Sequence, residues 1–467
     1  MPDLAASQER RWWILPVLCL SVFLVVVDNT IVNVGLPAIG RSLHTSVAGL
    51  QWTVAGYTVV LASLLMFSGA LADRIGRRTV FQVGLALFTL GSWLCSLAPT
   101  LAALIAFRVL QGVGGSMLNP AALGIITNAF VTPKDRAKAI GAWDGVSGLS
   151  MALGPVAGGI LVGAAGWRGI FWANIPVGLV AISLTALFVP DSRAPRSRRA
   201  DPVGQFLIIV MLGSLAYAII QGPSEGWHSP RIAVLFLVSV TALVTLLKYE
   251  PRRAEPLIDF RFFRSVPFTA ANLTAVCAIA TLAGFLFLTT LYLQDVRGYT
   301  ALQAGLTLLP MPVMMAVSSP LSGRILARGG PRIPFVIAGA ALTLSTAALS
   351  QLNAYSGPLF LLITYGLFGI GAGMVNVPIS NGVMSGVPKS QAGMASGMNS
   401  SSRQLGQSLG VAIVGSVLAA SLRGSMHAGF LNAAHAGWWI MAGCGYTVLV
   451  LGVVSTTSWA KSTVRSE

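Results

Sequence analysis

FSGALADRIGRRTVF (67–81) and LSGRILARGGPRIPF (321–335) are two copies of one pattern, 254 residues apart. Gly69 matches Gly323, Arg74 matches Arg328, Gly76 matches Gly330, Arg78 matches Arg332 and Phe81 matches Phe335. A second pair, GVGGSMLNP (112–120) and GIGAGMVNV (369–377), lies 257 residues apart. A pattern repeated at a nearly constant offset marks two related halves of one chain.

Each copy closes one long apolar run and opens the next. About 20 apolar residues cross a bilayer as a helix. Runs of that kind occupy 12–39, 49–72, 79–98, 100–130, 135–165, 168–189, 203–222, 230–248, 266–293, 302–326, 333–352, 357–387, 391–421 and 436–458, which makes 14. They are continuously apolar and do not alternate, so no β-barrel competes. The first copy joins runs 2 and 3, the second joins runs 10 and 11. With six runs to a half, two have been inserted between the halves: 203–222 and 230–248. The expected fold is an all-α membrane protein of two six-helix bundles plus two inserted helices. Its segments are a cytoplasmic N-terminus 1–11, a bundle 12–190, a linker with the extra pair 191–265, a bundle 266–458 and a cytoplasmic tail 459–467.

Composition agrees. Of 467 residues 55% are hydrophobic and 9% charged, with mean hydropathy +0.76. Soluble domains carry roughly 25% charged residues. Gly 51 and Pro 24 would weaken soluble helices but suit membrane helices that pack closely. Cys19, Cys95, Cys277 and Cys444 are scattered in apolar runs, so neither a zinc site nor a disulfide framework is indicated. Arg10 and Arg11 precede an apolar run of 12–39, longer than the core of a cleaved signal peptide, which is about 7–15 residues.

The net charge of +16 would suit nucleic acid, but its placement argues otherwise. With the N-terminus inside, the cytoplasmic segments hold 23 of the 30 Lys and Arg. The outer loops hold Arg41, Arg168, Arg231, Arg297 and Arg423, while Arg108 and Arg403 lie inside spans. This is the positive-inside pattern. The charge therefore follows from topology, and no nucleic-acid partner is expected.

GALADRIGRR (69–78) resembles the signature loop of the major facilitator superfamily, RVLQGVGG (108–115) its fourth-helix motif and LGPVAGG (153–159) its antiporter motif. DNTIVNVGLP (28–37) and SRQLGQSLGVAI (402–413) resemble motifs of the 14-helix drug:proton antiporters of the EmrB/QacA type. The resemblance runs over nearly the whole chain. It implies the major facilitator fold in a bacterial inner membrane, both termini cytoplasmic, and proton-driven multidrug efflux by alternating access. It implies no cofactor, the proton gradient being the energy source. The expected partners are a small lipophilic or cationic drug-like substrate, protons and the lipid bilayer, with the chain acting as a monomer. The midplane cavity is expected between the bundles.

Asp28 lies about 24 Å along the first span. A carboxylate at the membrane centre costs at least about 2.5–3.5 kcal/mol, so it reads as a proton-coupling or substrate-binding group. A structural partner for a buried Arg is the plainer alternative. Arg108 is that partner by depth, about 12 Å from the outer end of its span against about 16 Å for Asp28. The pair serves either as a coupling switch or as static glue. Asp144 follows a helix start at Thr132-Pro133 and lies about 18 Å deep. It is a second proton or cation candidate, or a bond to a neighbouring helix. Its repeat partner is Asn399.

The gating loop comprises Gly69, Asp73, Arg74, Gly76, Arg77 and Arg78. Asp73 would latch the inner gate by pairing with Arg136 or with the start of span 13 near Ser390. The alternative is a solvated loop charge, and the repeat carries Ala327 there. Gly154, Pro155, Gly158 and Gly159 allow a bend and close helix contact that controls leak, or ordinary small-residue packing. Arg403 is expected to bond within the second bundle. Trp52, Tyr57, Phe171, Trp172, Phe285, Phe287, Tyr292 and Met374 are candidate cavity aromatics and apolar groups. His44, His228, His427 and His435 are read as lying near loops.

Two rival functions stand beside multidrug efflux. One is export of a single endogenous metabolite or antibiotic, as in self-resistance. The other is a membrane-embedded lipid-modifying enzyme, for which the sequence offers no HExxH or phosphate loop and no convergent His, Asp or Ser cluster, so no enzyme is expected.

Overall fold

The computed structural model describes residues 2–193, 201–253, 256–385, 387 and 391–463. Arg196, Arg198, Arg199, Lys389, Ser390 and Arg465 lie outside the described residues. Fourteen helices are long and apolar enough to cross a membrane. The first six are α1 (Trp12–Leu43), α2 (Val47–Ile75), α3 (Arg77–Leu97), α4 (Leu101–Ala129), α5 (Lys134–Ala165) and α6 (Arg168–Phe188). The inserted pair is α7 (Pro202–Glu225) and α8 (Pro230–Arg252). The last six are α9 (Val266–Val296), α10 (Ala301–Gly329), α11 (Arg332–Leu349), α12 (Pro358–Ser385), α13 (Met394–Ser421) and α14 (Met426–Ser455).

Short polar residues start these helices. Thr100, Thr132, Ser229 and Ser425 each accept a hydrogen bond from the N–H three residues on, as N-caps do. The Ser425 cap explains the largest boundary difference: α14 begins at 426, ten residues before the apolar run at 436. Helix and hydropathy are separate properties, and α14 carries His427 in its first turn next to the loop and His435 about two turns further in. Between α2 and α3 stands Gly76 alone, at φ +118°. A side chain there would be strained, and its Cβ would lie 2.6 Å from Asp191 Oδ1.

The two halves repeat one packing plan. α1 packs on α5, α2 and α3 on α4, and α3 on α6. Eight spans later α9 packs on α13, α10 and α11 on α12, and α11 on α14. The bundles meet along two seams, α2 against α13 and α5 against α10. α7 lies along the first seam, where Gln205 Nε2 donates to the Ser63 carbonyl at 2.8 Å and Ser416 Oγ donates to the Ile219 carbonyl at 2.5 Å. α8 packs outside α7.

The start of α1 and the loops richest in Lys and Arg share one face, called the basic face below; the opposite one is the neutral face. Among the described residues, every hydrogen bond between the bundles lies from the membrane midplane to the neutral face. Arg41 Nη1 pairs with Asp295 Oδ1 at 3.0 Å, and Gln294 Nε2 donates to the Val34 carbonyl at 2.9 Å. Gln51 Nε2 donates to the Ala412 carbonyl at 2.7 Å, and Gln407 Nε2 to Asn29 Oδ1 at 3.1 Å. Towards the basic face α5 buries Ala139 and Trp143 in the first bundle but leaves another side open: a Cβ at Gly141, Gly145 or Gly148 would meet nothing within 4 Å. Among the described residues the halves are thus hydrogen-bonded to each other from the midplane to the neutral face and not at the basic one.

Candidate functional site

Asp28 on α1 and Arg108 on α4 are 0% and 1% exposed, and Arg108 Nη1 lies 2.5 Å from Asp28 Oδ2. Uncharged groups complete the cluster. Arg108 Nη1 also donates to Gln111 Oε1 at 2.7 Å and its Nε to the Thr53 carbonyl at 3.1 Å. Gln111 Nε2 donates to Asp28 Oδ1 at 2.8 Å, and Asn174 Nδ2 donates to the same oxygen at 3.1 Å. Both amides also donate to Ser92 Oγ, at 2.8 and 3.3 Å. The guanidinium carbon stands 4.4 Å from the centre of the Tyr57 ring and 5.8 Å from that of Phe171. Five helices of the first bundle thus converge on one carboxylate. A buried ion pair holds only when its remaining donors and acceptors are satisfied, and these partners do that.

The depth argument from sequence brings Asp28 to Arg108, as the structure has it. It does not find Gln111, Ser92, Asn174 or the Thr53 carbonyl. Their only signal is a polar side chain in the middle of an apolar run, which packing alone often explains.

Asp144 stands apart. It is exposed on the basic-side half of α5 and makes no hydrogen bond or ion pair among the described residues. Arg403 on α13 bonds within the second bundle: Nε donates to Asn399 Oδ1 at 3.2 Å and Nη1 to Asn376 Oδ1 at 2.8 Å. Asn272 joins this group, accepting from Ser402 Oγ at 3.1 Å.

The gating loop differs from expectation in one respect. Asp73 pairs with Arg77, one turn on, at 2.9 Å, while Arg136 donates to the Phe130 and Thr127 carbonyls. Asp73 thus bonds one turn along the chain and not to Arg136 of the same bundle, while Ser390 lies outside the described residues. Arg77 Nη1 also donates to the Gly124 carbonyl, and Arg78 Nη2 to the Ala186 carbonyl at 2.8 Å. Arg74 is exposed and Gly69 packs near Pro120.

Gly154, Gly158 and Gly159 lie where α5 crowds its neighbours. A Cβ at Gly154 would run into Thr30, and one at Gly158 would lie 2.9 Å from Ile31 Cγ1, both on α1. At Gly159 it would lie 2.6 Å from the Leu302 Cα, and at Gly305 it would strike the Pro155 carbonyl oxygen, so α5 and α10 touch backbone to backbone. This glycine-and-proline run is where α5 packs closest against α1 and α10. The candidate cavity residues are placed differently: Tyr57, Phe171, Phe285, Phe287, Tyr292 and Met374 are buried in bundle cores. Trp52 stacks against Tyr217 of α7 and Trp172 is exposed.

The profile of the Major Facilitator Superfamily matches residues 18–411. The chain belongs to the major facilitator superfamily. Among relatives, the Multidrug resistance protein Stp of Mycobacterium tuberculosis is 38% identical over 407 residues, 87% of this chain and 76% of that protein. The Tetracenomycin C resistance and export protein of Streptomyces glaucescens is 37% identical over 411 residues, 88% and 76% of the two chains. The fold matches that of a bacterial homolog of the human lysosomal transporter Spinster, in an inward-facing and unoccupied conformation, with TM-score 0.63 at 18% identity over 97% of this chain and 98% of that one. As a member of this superfamily the chain is a multi-pass membrane transporter.

Proposed function

We propose that this transporter is a proton-coupled exporter of small drug-like amphiphiles, working by alternating access in a bacterial inner membrane. The observation that carries the reading is a division of labour in space. A fully buried acid–base pair, Asp28–Arg108, sits inside one bundle, while among the described residues the hydrogen bonds between the bundles run from the midplane to the neutral face, an arrangement that fits a cleft open to the basic face. The relatives' names, multidrug resistance and antibiotic export, supply the substrate class.

The positive-inside rule makes the basic face cytoplasmic, with both termini there. A drug would enter the cleft from that side. Export then requires the bundles to close at the basic face and part along the α5–α10 and α1–α9 contacts. Asp28 holds Arg108 through Oδ2, and Gln111 and Asn174 through Oδ1; the pairing with Arg108 is the contact that needs its charge. A proton on Asp28 cancels its attraction for Arg108 and frees these helix contacts to rearrange, which links proton movement to the change of access. No cofactor is needed, and because the cleft lies between halves of one chain, one chain suffices.

The test is the isosteric variant Asp28→Asn in proteoliposomes. Drug-driven proton release is expected to vanish while the protein still folds. Undiminished antiport would remove Asp28 from the mechanism. The relative that exports tetracenomycin C favours a second reading, export of a single antibiotic in self-resistance. Accumulation assays with a compound panel in a pump-deleted host separate the two, since a dedicated exporter changes accumulation of one chemotype only.

A further inference from the structure

Four charged side chains lie deep within spans: Asp28, Arg108, Asp144 and Arg403. The first two neutralise each other. The other two do not, and their placement is systematic. Arg403 is half-buried, and none of the ion pairs among the described residues includes it. Its two partners, Asn399 and Asn376, are neutral amide oxygens. They fix the direction of the guanidinium without cancelling its charge. An arginine has five N–H donors. Nη2 makes no hydrogen bond among the described residues.

The direction it faces follows from its neighbour. Gln407 lies one turn along α13 and donates across the midplane to Asn29 of the first bundle at 3.1 Å. Residues four apart share a helix face, so Arg403 looks at the first bundle from just below that bond. Asp144 lies at a similar depth on α5. It precedes Pro155, which touches α10, by 11 residues, about three turns, and so lies on the same side of α5. Asp144 is ten residues, about 15 Å, from the basic end of α5; Arg403 is nine, about 14 Å, from that of α13. Neither a hydrogen bond nor an ion pair joins the two among the described residues.

We infer that Arg403 is an anion-recognition residue of the central cleft. It takes the acidic oxygen, carboxylate or phenolate, of an amphiphilic substrate, with Asp144 opposite to receive a hydrogen-bond donor or amine. The inference rests on the export reading and narrows its substrate class. An oriented guanidinium with free donors in a low-dielectric cleft gains most from an anionic partner, through charge-assisted and often bidentate hydrogen bonds. A purely cationic drug at the same level meets repulsion from the second bundle. The cleft is therefore selective for acidic or zwitterionic amphiphiles over lipophilic cations.

Fluorescein and rhodamine 123 test this, since they share a xanthene core and differ in charge. Binding to the purified full-length chain is read by fluorescence anisotropy, and export in proteoliposomes under an imposed proton gradient. Wild type is expected to favour fluorescein. In Arg403→Gln, with an unchanged size-exclusion profile, the ratio of fluorescein to rhodamine 123 affinity should fall about 10- to 100-fold, the worth of a charged hydrogen bond. Arg403→Lys should restore part of it, and Asp144→Asn should raise it. An equal loss for both dyes in folded Arg403→Gln, or a wild type that prefers rhodamine 123, overturns the inference. Fluorescein binding that depends on Arg403 but is never followed by export overturns the export reading and leaves the recognition site standing.

Discussion

The same location in the two bundles is built from opposite chemistry. In the first bundle Asp28, Arg108 and Gln111 form a buried polar knot. Adding 257, the offset of the GVGGSMLNP repeat, gives Phe285, Tyr365 and Phe368. Those three also converge: the rings of Phe285 and Phe368 stack with centres 4.0 Å apart, and Tyr365 meets Phe285 edge-on at 5.2 Å. One scaffold thus holds a titratable cluster in one half and a solid aromatic plug in the other. Polar groups in a membrane interior violate the local rule for a stable core, and proteins tolerate that where function requires it. The second bundle, with its plug, has no charge to move at that place.

The largest effect should come from breaking the knot. Arg108→Ala leaves Asp28 buried without its counter-charge, which costs roughly 3–5 kcal/mol. Thermal unfolding in detergent should show a marked fall, and transport should be lost. Phe285→Ala empties the plug. Here about 3 kcal/mol is expected, the low end for a lost aromatic, because an unfolded segment in lipid already hides the ring from water. Surviving Phe285→Ala protein should keep its proton-to-drug ratio, measured with a pH dye during uptake. If Phe285→Ala uncoupled transport while Arg108→Ala did not, the assignment of coupling to the first bundle would be reversed.

The contrast also shows what a sequence can carry. Span number and the division into two halves with an inserted pair were legible because apolar run length is a local property and the repeat offset is a long-range one that needs no geometry. The Asp28–Arg108 pair was legible because charges in a membrane are rare and depth follows from residue count. The neutral members of the knot were not, since Ser92 or Asn174 in an apolar helix reads equally well as packing. The plug could have been read by extending the offset of 257 to Asp28 and Arg108. The shared depth of Asp144 and Arg403 was hidden for another reason: the repeat aligned Asp144 with Asn399, which orients Arg403 from one turn away. Asp73 bonds Arg77 and not Arg136, a choice of partner that depends on conformation, which no single sequence specifies.

A third prediction concerns the seam at the neutral face. Gly305→Ala pushes a methyl group into the Pro155 carbonyl, so α5 and α10 must separate, at roughly 1–3 kcal/mol for an overpacked contact. Faster decay of an imposed pH gradient in proteoliposomes is the expected sign of a leaking seal. Gly163→Ala is the control, since a Cβ there meets nothing within 4 Å. Equal decay for both variants would mean that the α5–α10 contact is not the seal.

The smallest effect belongs to the ion pair where the halves meet. Arg41 and Asp295 lie 254 residues apart, within one helical turn of the counterpart positions in the repeat, yet they carry opposite charges and touch across the seam at 3.0 Å. The pseudo-symmetry that separates knot from plug here brings near-equivalent positions face to face. With 62% and 19% of the two side chains exposed, solvent screens much of the attraction. Arg41→Ala should therefore bias the equilibrium away from the neutral-face-closed state by only about 0.2–1 kcal/mol, a change of up to about fivefold in the population ratio. Thiol labelling of Ala301→Cys at the seam would read that shift. It should shrink as salt rises from about 0.1 to 1 M, where the screening length falls from about 10 to 3 Å. A larger shift, or one indifferent to salt, would mean that the pair is a gate latch in its own right and that coupling is spread over both halves.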